Sequence, residues 1–451
     1  MDQGRKARPP AGNRHLNLRS NNLDKIKLRM NPSINPSTPI PAEPNRTWTP
    51  NTRTRLVFRL LESLRIGELR MHLPDGSQRI FCGQAQPSGQ QFMGEIMVHD
   101  DQAFSFAFSR GDIGFGEAYM QGMWSSPDPA ALLKLLLVNR EAITEVIYGR
   151  WWAIVFDQLR HLLRFNRKAQ ARKNIAAHYD LGNDFYKLWL DPSMCYSSAL
   201  FDGTGLWHQP VDLQEGQRRK IRRAINEVAP QRLNSNSAVL EIGCGWGAIA
   251  REVLDNTQAR YVGLTLSEEQ KRWADSILGD ITSSRHDIRL QDYRDERGQY
   301  DAIISIEMFE AVGEQYWDTY FAMLARCLKS DGLAVIQTIT IEDRLFERYR
   351  RGTDFIQQYI FPGGMLPSST EFEHRAKKQG LRVEKSLSFG QDYARTLAEW
   401  AKEFDRQRTR ITALGFDERF IRMWKFYLAY CEAGFSEGDI NVVQYTLRHG
   451  S

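Results

Sequence analysis

A chain of 451 residues corresponds to two or three domains at the usual size of roughly 100–200 residues each. Its 42% hydrophobic and 25% charged content is that of an average globular protein, which excludes wholesale disorder, collagen-like repeats and an integral-membrane chain. The net charge of +5 is concentrated in residues 1–50, where nine Lys or Arg face three Asp or Glu and leave the rest of the chain near neutrality.

That first segment is also rich in Pro, Asn and Ser and is expected to be a solvated, disordered arm, with a contact to an anionic membrane or nucleic acid as the alternative. It lacks the apolar core of a secretory signal, so the default address is cytoplasmic. No stretch approaches the roughly 18–20 uninterrupted apolar residues of a spanning helix, and any meeting with a membrane is expected to be peripheral. Cys82, Cys195, Cys244, Cys327 and Cys431 are odd in number and form no C-x-x-C pair, so neither a disulfide framework nor a zinc site is expected.

Residues 51–110 alternate apolar and polar positions in short runs such as 68–73 and 104–108, with turn signals at 74–76 and 87–89, and read as a β-rich element. From Gly116 to about Arg167 the spacing becomes helical. The segments 130–138 and 143–163, with Trp151 and Trp152, suit either core helices or a lipid-facing surface bordered by aromatic and basic side chains. A basic stretch, Arg164 to Lys168 and then Arg172-Lys173, looks like a domain link. The expected organisation is therefore an arm over 1–50, an N-terminal α+β domain over 51–165 and a second domain over 166–451.

In that second domain the runs 238–242, 260–264, 288–290, 302–306 and 333–338 are strand-like and alternate with helical patterns. This predicts an α/β fold with a doubly wound, mostly parallel sheet whose ligands lie beyond the carboxyl ends of the strands. The run Val239-Leu240-Glu241-Ile242-Gly243-Cys244-Gly245-Trp246-Gly247 is a strand ending in a glycine-dense turn, where the backbone can meet a ligand with no Cβ in the way. A dinucleotide site would need an acid about 20 residues further on, and Thr265-Leu266-Ser267 stands there instead. Strand, acid, G-x-G-x-G and helix is the order found in S-adenosylmethionine (SAM) methyltransferases. Asp292, after the third strand run, is placed to contact an adenine amino group. The Asn/Asp-Pro-Pro-Tyr and Pro-Cys motifs of nucleic-acid methyltransferases are absent, so no nucleic-acid partner is expected.

Several motifs in order then resemble the cyclopropane-fatty-acyl-phospholipid synthases and mycolic-acid methyltransferases. They are His178 to Tyr186, Met194-Cys195-Tyr196-Ser197-Ser198-Ala199, the glycine loop, Gly263 to Ser267, Ser305-Ile306-Glu307-Met308-Phe309-Glu310, Phe361 to Ser368 and Tyr393-Ala394-Arg395-Thr396-Leu397. Gly114 to Met120 with Trp124 resembles the N-terminal lipid-binding domain of the phospholipid enzymes. The resemblance implies a Rossmann-like SAM methyltransferase fold. It also implies transfer of a methyl(ene) group to the cis double bond of an unsaturated phospholipid chain, giving a cyclopropane.

On the same ground Tyr196, Ser197, Glu241, Gly243, Gly245, Gly247, Thr265, Gln270 and Asp292 should bind SAM, and His178 and Asp180 should order the segment over it. Glu310, Ile339 and Tyr393 fall where the family holds a bicarbonate that acts as base, and Phe355, Tyr359, Phe361 and Met365 should line an acyl tunnel. A membrane surface and a homodimer are the implied partners. Two positions depart from the family: Ser198 stands for its usual cysteine and Gln337 for its usual histidine. Both can donate hydrogen bonds, but glutamine carries no charge, so bicarbonate binding should weaken. C-methylation or methylenation without ring closure is therefore the alternative product. A SAM methyltransferase of a soluble acceptor and a lipid-binding protein without activity are the further alternatives.

Overall fold

The computed structural model describes residues 49–83, 92–147, 181–201, 211–279 and 284–450. The basic stretch before residue 174, Trp151, Trp152, His178, Asp180, the turn at 87–89 and nearly all of the arm lie outside them.

Among the described residues, the larger of two sheets has seven strands in the order β10-β11-β9-β8-β5-β6-β7. Strands β5 (Ala238–Ile242), β6 (Arg260–Thr265), β7 (His286–Leu290), β8 (Tyr300–Ile306) and β9 (Leu328–Ile341) are parallel. Their residues alternate between two cores. Leu240, Ile242 and Ile303 pack with the helices Trp317–Cys327 and Ser369–Lys378, while Val239, Ile304 and Val335 pack with the helices Leu213–Glu227 and Ala248–Asn256. Burial on both faces explains the unbroken apolar runs in the sequence. The antiparallel strands β10 (Leu381–Ser388) and β11 (Ile440–His449) complete the sheet beyond β9. Their alternating polar residues gave no such run, and the sequence reading did not include them.

A smaller sheet, β2-β1-β3-β4, is formed by β1 (Glu68–His72), β2 (Gln78–Cys82), β3 (Met93–Val98) and β4 (Trp124–Ser125). The apolar alternation at 104–108, read above as strand-like, is helical and belongs to the helix Gln102–Met120. The Asp100 carboxylate accepts from the Gln102 N–H at its start, and Ala103 and Phe104 turn inward. This turn contact and burial on one face outweigh a period-two pattern only five residues long. The segment 130–138 is helical as expected, over Pro129–Val138 with an Asp128 N-cap.

These N-terminal elements pack on the long helix Glu418–Ser436. The Trp124 ring stacks on Phe115 at 4.3 Å and meets Phe426 edge-on at 6.3 Å, and Lys134 pairs with Glu432 at 2.7 Å. Trp124 is fully buried, its indole N–H donating to the Phe115 carbonyl. Burial of a ring this size contributes about 2–3 kcal/mol. Residues Pro44–Ser451 form one compact unit. Among the described residues no helix is long and apolar enough to cross a membrane.

Candidate active site

Strand β5 runs into the glycine loop, where Gly243, Gly245 and Gly247 all have positive φ, at 81°, 51° and 90°. Two adjacent amides, of Gly243 and Cys244, donate to the Leu264 carbonyl at 2.9 Å and tie the loop to the end of β6. A Cβ on Gly245 would meet nothing within 4 Å, so this turn opens onto a cleft. A Cβ on Gly243 would lie 2.9 Å from Met308, because the segment after β8 crosses directly over the loop.

The cleft is lined by Tyr196, Ser197, Glu241, Gly243, Gly245, Thr265 and Gln270, seven of the nine residues assigned to the cofactor from sequence. The other two are placed differently. Gly247 caps the helix Ala248–Asn256, and a Cβ there would sit 3.2 Å from Ala274 of the next helix. Asp292 binds the Arg294 guanidinium through both oxygens, at 2.8 and 2.6 Å, while its neighbours Gln291 and Tyr293 line the cleft. Glu241 is buried, accepts from the Tyr261 hydroxyl and is pushed up to about 8 by burial. Lys220, also buried, donates to the Ser197 hydroxyl at 2.6 Å. The glycine turn with no Cβ in its way suits close approach of a cofactor to the backbone, and Lys220, the one cation lining the cleft among the described residues, is occupied by Ser197.

Beyond the cleft lies an apolar cavity of about 1370 Å³. It extends from Leu69, Ile96 and Phe104 in the N-terminal elements to Phe361, Met365 and Tyr427 later in the chain. The two spaces share Tyr196, Glu307 and Ala311 as a common wall. Phe361 and Met365 therefore line the cavity. Phe355 and Tyr359 do not: Phe355 is fully buried against Gly116 and packs 4.6 Å from the Phe426 ring, and the Tyr359 hydroxyl donates to Glu117. Phe355 begins and Tyr359 lies within a helical turn widened to π geometry over Ile356–Ile360, whose Ile356 and Gln357 face the cavity instead.

At the common wall two carboxylates stand three residues apart. Glu307 has φ 49°, a left-handed backbone uncommon for a side chain other than glycine and costing about 1 kcal/mol or more. Its amide donates to the Gln337 carbonyl at 2.8 Å. Its Oε1 accepts from the Ser198 amide at 2.9 Å and from the Gln337 side chain at 2.7 Å, and its Oε2 accepts from the Tyr393 hydroxyl at 2.6 Å. Burial pushes the carboxyl up, and these donors together with Lys220 pull it back. Glu310 Oε1 accepts from the Ile339 amide and, at 3.1 Å, from Thr338, whereas its buried Oε2 has no hydrogen-bond partner among the described residues. Burial first and the neighbouring Glu307 second push Glu310 up to about 8.

The structure thus brings Glu310, Ile339, Tyr393, Ser198 and Gln337 together. It adds a residue that the sequence reading quoted only inside a motif. Tyr393, assigned beside Glu310, engages Glu307, and so do the Ser198 amide and the Gln337 side chain. The Ser198 hydroxyl itself turns to the Ala199 carbonyl at 2.9 Å. The available signal was the second acid in Glu307-Met308-Phe309-Glu310.

Residues 166–445 match the family model for mycolic acid cyclopropane synthetase. Tuberculostearic acid methyltransferase UfaA1 of Mycobacterium tuberculosis is 39% identical over 84% of this chain and 87% of its own length. The cyclopropane-fatty-acyl-phospholipid synthase of Escherichia coli is 32% identical over 79% of this chain and 88% of its own length. A crystal structure of mycolic acid cyclopropane synthase CmaA1 with SAH and CTAB superposes with a TM-score of 0.56 and 31% identity, covering 61% of this chain and 97% of that one. With the glycine cleft, the apolar cavity and the acids at their junction in place, the chain belongs to the mycolic acid cyclopropane synthetase family of SAM-dependent methyltransferases that act on acyl chains.

Proposed function

We propose that this enzyme methylates the cis double bond of an unsaturated phospholipid acyl chain and that Glu307 takes the proton then released, in place of a bound bicarbonate. The observation that carries the reading is the set of donors on Glu307. Ser198 and Gln337 occupy the positions of the family's anion pocket, and with Tyr393 they hold a carboxylate of the chain itself. SAM in the cleft supplies an electrophilic methyl group. An isolated alkene is a weak nucleophile, and the apolar cavity excludes water and holds the chain against the common wall, so that orientation replaces intrinsic reactivity. The alkene π pair forms the new C–C bond as the methyl–sulfur bond breaks, its electron pair staying on the sulfur of the departing thioether, and a cation is left on the neighbouring chain carbon. The rings of Tyr196, Phe361 and Tyr427 line that space and offer π faces to positive charge.

Loss of one proton then completes the reaction, and neither product that follows needs a reductant. Proton loss from the new methyl with closure onto the cation gives a cyclopropane. Alternatively, a 1,2-hydride shift first moves the cation to the methyl-bearing carbon, and proton loss from the methyl then gives a methylene branch on the chain. Which product forms turns on whether proton loss outruns the shift, and burial and the three hydrogen bonds act on the base in opposite senses. The methylene chain is the product we favour, in keeping with the 39% identity to a methyltransferase. The cyclopropane is the second reading, supported by the 32% identity to a phospholipid cyclopropane synthase. A saturated methyl branch would need a further hydride from a reduced donor.

The test is incubation with deuterated-methyl SAM and vesicles of cis-monounsaturated phospholipid, followed by NMR and mass spectrometry of the acyl chains. A terminal =CD₂ signal supports the methylene, a ring bearing two deuteriums makes the enzyme a cyclopropane synthase, and unlabelled lipid overturns both. Peripheral binding to a membrane surface and a homodimer belong to the same proposal. Vesicle co-sedimentation and sedimentation equilibrium test them.

A further inference from the structure

The hydrogen bonds behind Glu307 do not stop at Gln337. Gln337 and Gln444 stand directly opposite each other on β9 and β11, both fully buried. Gln444 Nε2 donates to Gln337 Oε1 at 2.8 Å, and Gln444 Oε1 accepts from Nη1 of Arg223 on the helix Leu213–Glu227. The Gln444 amide also reaches the Lys220 carbonyl at 3.3 Å. The result is a continuous line of donors running Arg223, Gln444, Gln337, Glu307. A glutamine amide can present either its oxygen or its NH₂ to a neighbour, but a guanidinium only donates and a carboxylate only accepts. The two ends of the line therefore fix both amides between them. Turning either one round would bring oxygen against oxygen or NH₂ against NH₂.

We propose that Arg223 and Gln444 are positioning residues, which act through Gln337 to decide which end of its amide faces Glu307. The inference rests on Glu307 being the base and goes beyond it, because neither residue lines the cleft or the cavity. Its consequence is electrostatic. The charged and titratable groups that face Glu307 are Glu310 on its own segment, Tyr393 on the helix Gly390–Arg406 and Lys220 on the helix Leu213–Glu227. Of these, Glu310 repels the ionised form only once it has itself lost its proton, while Lys220 and the Tyr393 hydroxyl favour it. Reversing the Gln337 amide removes one donor and sets an oxygen against the carboxylate, so Glu307 ionises at higher pH. A base must be ionised to accept a proton, and the acid limb of the rate profile moves up with it.

Gln444→Glu tests this in the full-length enzyme with SAM and cis-monounsaturated phospholipid vesicles. The change is nearly isosteric, and the new carboxylate pairs with Arg223 while turning the Gln337 amide round. The acid limb of kcat should rise by about one pH unit, with the KM for SAM changed less than about twofold. Arg223→Met frees the far end of the line and should move the limb the same way by less. Adding Gln337→His to Gln444→Glu should bring it back, since a protonated imidazole donates to both carboxylates. An unmoved acid limb in a folded Gln444→Glu enzyme overturns the proposal. If that variant does not fold, an unmoved limb in Arg223→Met overturns it instead. Full activity in Glu307→Gln would instead remove the reading beneath it, so the two failures are told apart.

Discussion

The cofactor cleft draws much of its lining from one short stretch, Glu241 to Gly245, completed by Thr265 and Gln270 of the next strand and helix. The pocket of donors around Glu307 beside it is assembled from Ser198, Gln337 and Tyr393, which lie between 30 and 109 residues from Glu307 in the chain. The difference teaches where each kind of chemistry is written. A loop that must meet a cofactor with its backbone needs particular residues at particular spacings. A carboxylate that must be held ionised in an apolar setting needs donors from any direction the sheet can supply.

Replacing Glu307 by Gln is the harshest way to break this contrast. Loss of a general base costs on the order of 10²–10⁴-fold in rate, and kcat should fall in that range while SAM affinity, read by calorimetry, stays put. A comparable fall in SAM affinity would merge the two regions. Gly245→Val strikes the other side. A branched side chain at φ 51° is strained, and it projects into the cleft, so SAM should bind about 100-fold more weakly while the protein stays folded. Normal affinity in that variant would remove the cleft from its role.

Glu310 sharpens the contrast through stability. Its carboxyl is raised from 4.5 to about 8 by burial, so between those values the unfolded chain ionises while the folded one holds its proton. Stability contributed by the protonated form is therefore lost as pH rises through that window. Glu310→Gln should melt higher than the parent near pH 8, with the gap closing towards pH 4.5. A gap independent of pH would show that the carboxyl titrates normally. The smallest effect is expected from Asp292→Asn. Its side chain is turned to Arg294, and SAM affinity should change by less than about threefold.

Legibility in the sequence follows the same division. Strand β5 and the glycine turn could be placed from their residues, because parallel strands buried on both faces read as apolar runs ending in glycine. Strands β10 and β11 alternate polar and apolar residues at one side of the sheet and left no such run. At 104–108 the alternation of aromatic and small residues misled, since only the Asp100 contact and the packing of Phe104 decide for a helix. Phe355 and Tyr359 belong to a stretch rich in aromatics, and only the widened turn after Asp354 shows that they face Gly116 and Glu117 rather than the cavity. Glu307 was visible as a letter but not as the proposed base, because nothing local reveals that Ser198, Gln337 and Tyr393 converge on it.

The most direct measurement is the rate of methyl transfer to cis-monounsaturated phospholipid vesicles in buffer stripped of carbon dioxide and bicarbonate. An internal carboxylate makes the added anion unnecessary, so the rate should equal that in bicarbonate buffer. A rate that collapses without bicarbonate and returns when it is added would contradict Glu307 as the base.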